Sequence, residues 1–162
     1  MDRVLALSIA GWMSCATAVI QGAQAPAPQG GRISACSLMP RALMEKVTPG
    51  PVNKIVFEIK ATEDAIGAHG SGCGYAGTEL QIDPFARPDD IRKDLPAKGW
   101  QPVSGVGDAA FFHNNSDRYA ELAVWTGTHH LTIQMSVPDG KTAEAVKANT
   151  VMLAKAIIPK LR

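Results

Sequence analysis

With 16 basic residues against 15 acidic ones, a formal net charge of +1 and only 6% aromatic residues in 162, the chain has neither the basic stripe nor the stacking rings of a nucleic-acid-binding protein. Its 46% hydrophobic content over that length supplies one core and leaves no room for a second domain.

Residues 1–25 predict a removed export signal. Met1-Asp2-Arg3 precedes an apolar run from Val4 to Ile20, and Gln21-Gly22-Ala23-Gln24-Ala25 follows it. Small residues allow cleavage after Ala18, near Ala23 or after Ala25. The alternative is a retained anchor, although Ser8, Gly11, Ser14 and Thr17 dilute a run already at the lower length limit for a span. Contact with a membrane is expected only if this segment is kept. A third reading acylates Cys15, but Trp12-Met13-Ser14 lacks the aliphatic residue expected three positions before such a cysteine. Loss of Cys15 with the signal leaves Cys36 and Cys73. In an exported chain this even pair favours one disulfide over two buried free thiols, and its loop closure is worth roughly 4 kcal/mol in the chain-entropy model. The expected location is exported, either periplasmic or extracellular.

Pro26 to Arg32 is a flexible lead-in, so residues 33–162 form the single folded domain. Met39 to Val47 predicts a short helix with Pro40 at its first position, stopped by Thr48-Pro49-Gly50-Pro51. In Lys54 to Lys60, Ile55, Phe57 and Ile59 alternate with more polar neighbours, as a strand requires, although Val56 blurs the pattern. Glycine accumulates from Thr62 to Gly77, with a helical turn around Glu63 to Ile66, and Thr78 to Ile82 is strand-like. Arg87 to Leu95 predicts two helical turns, with Asp89 or Asp90 as cap and Pro96 as limit.

The most legible stretch is Gly105 to Val137, which predicts three consecutive antiparallel strands. The first stops at the turn-forming cluster Asn114-Asn115-Ser116-Asp117. The second places Ala120, Leu122 and Val124 on one face and Tyr119, Glu121, Ala123 and Trp125 on the other. After Thr126-Gly127-Thr128, the third alternates Leu131, Ile133, Met135 and Val137 with His130, Thr132, Gln134 and Ser136. One face is therefore apolar and must be covered. The natural cover is a helix from Thr142 to Ile158, capped by Thr142, with Val146, Thr150, Leu153 and Ile157 on one stripe. The expected fold class is α+β: an antiparallel β-sheet with a C-terminal helix and shorter helices packed on it.

Chemistry is sparse. Gly72-Cys73-Gly74-Tyr75-Ala76-Gly77 matches GxGxxG, but a strand-like segment follows where the dinucleotide motif needs a helix, so the glycines are read as a tight turn around a disulfide. His129 and His130 point to opposite faces of a strand, and His69 and His113 add no zinc spacing. No metal ligand set is assigned. Cys73 with His69 would make a nucleophile and base, which pairing with Cys36 silences. No GxSxG elbow is present, and Asp83, Asp89, Asp90 and Asp94 read as turn, cap and helix-face residues. Asp108, between Gly107 and Ala109, reads first as a turn device bonding freed amides and second as a ligand site, with His113 its candidate neighbour. Asn114-Asn115-Ser116 matches a glycosylation acceptor, relevant only in a eukaryotic secretory pathway.

Ala35-Cys36-Ser37-Leu38-Met39, Gly72-Cys73-Gly74-Tyr75, Gly105 to Phe111, the Trp125-Thr126-Gly127 hairpin and the Ala-rich C-terminal helix together resemble a known group. The chain is similar over about residues 33–161 to small exported bacterial proteins of unknown function, including actinobacterial lipoproteins, with a PsbP/Mog1-like α+β fold. The resemblance implies that the two cysteines pair and carries no established catalytic residues. The expected function is a non-enzymatic, exported binding or envelope-accessory domain without a cofactor, whose partner is a protein, an envelope component or a small ligand. The alternative is a small metal-dependent or hydrolytic enzyme using Asp108 with His113 or His129.

Overall fold

The computed structural model describes residues 33–48, 50–52, 54–64, 67–84 and 89–161, so the signal-like segment and the lead-in lie outside the described residues. The same holds for Arg87, Pro88 and the side chains of Asp89 and Asp90, read above as helix caps. In chain order the elements are α1 (Ala35–Leu38), α2 (Arg41–Val47), β1 (Ile55–Ile59), β2 (Thr62–Asp64), β3 (Gly67–His69), β4 (Ser71–Tyr75), β5 (Thr78–Asp83), α3 (Asp89–Asp94), β6 (Gln101–Pro102), β7 (Ala109–Ser116), β8 (Tyr119–Thr126), β9 (His129–Ser136) and α4 (Glu144–Ile157). A 7-stranded sheet runs in the order β1-β4-β5-β9-β8-β7-β6, with every neighbouring pair antiparallel, and β2 and β3 form a separate hairpin. This is the α+β architecture expected.

The period-2 pattern of the last three strands does what it predicts. Ala120, Leu122 and Val124 of β8, Leu131, Ile133 and Met135 of β9, and Ala110 and Phe112 of β7 are buried on one face. Leu80 and Ile82 extend that face across β5, and Val146, Leu153 and Ile157 of α4 close over it. Met44 and Val47 of α2 enter the same core. Each fully buried aliphatic side chain contributes about 1.5–3 kcal/mol relative to exposure. Thr150, buried in the α4 stripe, donates its hydroxyl hydrogen to the Lys147 carbonyl at 2.9 Å, so its burial leaves no polar group unpaired.

Cys36 on α1 and Cys73 on β4 are joined by a disulfide across 37 residues, with Cα atoms 5.0 Å apart. The buried Ser71 hydroxyl accepts from the Ala35 amide at 3.1 Å, a second tie between α1 and β4.

Several local readings are corrected. The glycines at 72 and 74 lie inside strand β4, not in a turn; the turn falls at Ala76-Gly77, where Gly77 has φ +82°. Thr62 to Asp64 pairs with β3 as a strand in place of a helical turn, because the return partner Gly67 to His69 is close by in sequence. β7 continues through Asn114 to Ser116 with an irregularity in register, and the turn begins one residue later. There the Ser116 hydroxyl accepts from the Arg118 and Tyr119 amides, both at 3.2 Å. Thr142 does not cap α4: Ala143 occupies the N-cap position without a side-chain bond. Pro40 is the N-cap of α2 and not its first helical residue, and a single turn, α1, precedes it with Ser34 as cap. On β1 the expected alternation does not produce burial. Ile55 and Ile59 remain exposed because β1 is an edge strand, and its register shifts at Val56.

Candidate functional site

The second face of the sheet, away from α4, is organised in rungs by the strand register. One rung reads Phe57, Gly74, Glu79, Gln134, Glu121 and His113 across β1, β4, β5, β9, β8 and β7. The next reads Ile59, Gly72, Gln81, Thr132, Ala123 and Phe111, and a third places Asp83, His130, Trp125 and Ala109 side by side. Adjacent strands lie about 4.8 Å apart, and successive same-face residues about 6.7 Å apart along a strand. The polar half of each alternating strand thus becomes a grid of Glu, Gln and Thr side chains.

Both ends of this grid are walled. At one end Leu95 and α3 cover Trp125, which is only 3% exposed and packs with Leu95 and Ala123 into a small second core. Phe111 meets the Trp125 ring edge-on at 5.9 Å, His130 lies 4.6 Å from it, and the Arg92 guanidinium carbon stands 5.9 Å from its centroid. The buried His130 ring places Nδ1 3.3 Å from an Asp83 carboxylate oxygen. Trp100 stacks on His113 at 4.8 Å with the planes 16° apart. At the other end the missing side chains of Gly72 and Gly74 make room for their β1 neighbours. A Cβ at Gly74 would collide with the Phe57 ring, and one at Gly72 would come within 3.3 Å of Ile59.

Between these walls lies an open hollow of about 260 Å³, whose floor includes Glu79, Gln81, Glu121, Thr132 and Gln134 and whose wall includes Trp100. A second hollow of about 150 Å³, bounded by Phe57, Tyr119 and Ser136, continues it and shares Glu79 and Gln134 with it. The two form one trough. Among its described lining residues, the larger hollow holds the carboxylates of Glu79 and Glu121 and neither lysine nor arginine. Trp125 also lines it, and its indole Nε1 is buried without a hydrogen-bond partner among the described residues.

The residues singled out from sequence lie elsewhere or at its margin. Asp108 accepts the Gly127 amide at 2.6 Å, and its own amide donates to the Trp125 carbonyl at 2.8 Å. It therefore pins the β8–β9 turn to the start of β7. Gly107, with φ +60°, lets the chain pass close beneath Trp125, where a Cβ would collide with the Trp125 carbonyl oxygen. His113 lies five residues further along an extended segment, roughly 17 Å from Asp108, and is stacked on Trp100. The structure does not bring those two together. His129 does border the same hollow as Asp108, a space of about 400 Å³ floored by Thr126 to Thr128 and Leu161. Partial burial lowers the His129 pKa below the ordinary histidine value of 6.5. That hollow has the greater volume, but its carboxylate is already engaged by a backbone amide, whereas the trough presents a row of hydrogen-bonding side chains. Cys36 and Cys73 are paired, so neither thiol is a nucleophile. Among the described residues no group of three or more His, Cys, Asp and Glu side chains is placed to hold a metal, and no helix is long and apolar enough to cross a membrane.

The trough residues Glu79, Gln81, Thr132 and Gln134 were not singled out from sequence. Their only signal was the polar half of each alternation, and that half becomes a site only once β5 is placed against β9. Compared with protein-family models, curated proteins and solved structures, the chain matches none.

Proposed function

We propose that this protein is an exported, non-enzymatic binding domain whose ligand surface is the trough on the second face of the sheet. The observation that carries the reading is the contiguity of two walled hollows through Glu79 and Gln134. Concave surfaces with a few convergent polar groups and apolar walls are the usual form of ligand sites. The disulfide is compatible with an oxidising compartment, and the signal-like residues 1–25 accord with export. The test is nuclear magnetic resonance mapping of the isotope-labelled mature protein against fractions of its native cell envelope. Amide shifts are expected at Glu79, Gln81, Thr132 and Gln134, and absent from the same titration of a Gln134→Arg variant. Shifts confined to other surfaces, or none in any fraction, would sink the reading.

A second reading, a small metal-dependent or hydrolytic enzyme using Asp108 with His129, has one observation in its favour: both line the same hollow. The bond from the Gly127 amide to the Asp108 carboxylate gives that acid a structural task. Stoichiometric metal in purified protein, lost on Asp108→Asn, would establish this reading over the first.

A further inference from the structure

We infer that the trough takes a neutral saccharide, a proposal that rests on the trough being the ligand surface. Three properties of the lining select this chemistry.

The first is the hydrogen-bonding inventory. Gln81 and Gln134 each donate and accept through their amides, Thr132 does both through one hydroxyl, and the carboxylates of Glu79 and Glu121 accept only. A hydroxyl also donates and accepts, so a polyol meets each of these groups with a complementary one. The grid spacing, about 5 Å between strands, is on the scale of a sugar ring.

The second is the apolar wall. Trp100, Ile91 and Leu95 stand beside the polar floor. A pyranose has a face of C–H bonds as well as a rim of hydroxyls, and such a wall accepts that face.

The third is charge. Glu79 and Glu121 flank Gln134 on a single rung, and the described lining of the larger hollow includes neither lysine nor arginine, which disfavours an anion. An organic cation would seek an aromatic face. The Trp125 ring is 3% exposed and already carries the Arg92 guanidinium at 5.9 Å. Beside the two acids the floor offers the neutral amides of Gln81 and Gln134 and the hydroxyl of Thr132, while Glu121 already accepts from the Asn115 side-chain amide at 3.3 Å.

The experiment titrates the labelled mature protein with cellotriose, maltotriose and tri-N-acetylchitotriose at millimolar concentration, and with spermidine and inorganic phosphate as charged probes. At least one neutral trisaccharide is expected to shift the amides of Glu79, Gln81, Thr132 and Gln134 and to change tryptophan fluorescence. Affinity should fall about ten-fold or more in Gln81→Ala and in Gln134→Ala, as loss of a buried sugar contact implies, with circular dichroism melts showing that both variants fold. Failure of all the neutral trisaccharides, or spermidine binding in the trough in their place, overturns the saccharide. In that case shifts at the trough from an envelope fraction still support a binding surface of other chemistry, and their absence removes both readings.

Discussion

The two faces of the sheet are made from the same strands and obey opposite rules. On one, Leu122, Leu131, Ile133 and Met135 are sealed beneath α4. On the other, Glu121, Thr132 and Gln134 occupy the alternate positions of the same strands and remain partly open to solvent. One end of that second face is covered, where Leu95 and α3 lie over Trp125. Most of the buried core therefore lies on the helix face, and the second face is where the proposed binding surface lies. The local exception is Trp125, whose burial anchors one end of the trough.

The largest effect expected belongs to the staple on the helix face. Replacing Cys36 and Cys73 together with serine should cost about 4 kcal/mol, read as a lowered denaturant midpoint. An unchanged midpoint would mean that the Ser71 bond and packing hold α1 without it. Next, Leu122→Ala should cost about 3 kcal/mol, because it opens a cavity in a fully buried position. The neighbouring strand offers the contrast: Gln134→Ala, one register position away and on the opposite face, should change stability by less than about 0.5 kcal/mol. Equal costs for the two substitutions would erase the division between the faces.

The smallest effect is a pH dependence. Burial lowers the His129 pKa below 6.5 in the folded state. Between that lowered value and 6.5 the unfolded chain binds more protons, so stability falls as pH falls through this window and gains nothing from His129 above it. In His129→Gln this acid-side loss should disappear, and the melting temperatures of the two proteins should run parallel above the window. Curves that stay parallel and without a change of offset through the window as well would show that the ring is solvated.

Much of the helix face was legible because its signals are local. Alternation from Tyr119 to Val137 needs only neighbouring residues, and the stripe Val146, Thr150, Leu153 and Ile157 needs only one helix. The pairing of Cys36 with Cys73 followed from the even count left when Cys15 is assigned to the expected signal. Asp108 was also readable as a turn device, since a short acid after glycine commonly bonds turn amides. Strand β4 was not legible. Gly72 and Gly74 have little intrinsic strand preference, and they sit in a strand because Phe57 and Ile59 lean into the space where their side chains would be.

By itself the sequence determined the faces of individual strands, the covering helix and the cysteines available to pair, all properties set by periodicity and count. The tertiary structure alone decided that β5 lies against β9 and that β4 and β1 extend the sheet beyond it. That order lines up Glu79, Gln134 and Glu121 from separate strands on one rung. Strand pairing between distant segments is governed by packing over the whole sheet, so no local pattern encodes the trough.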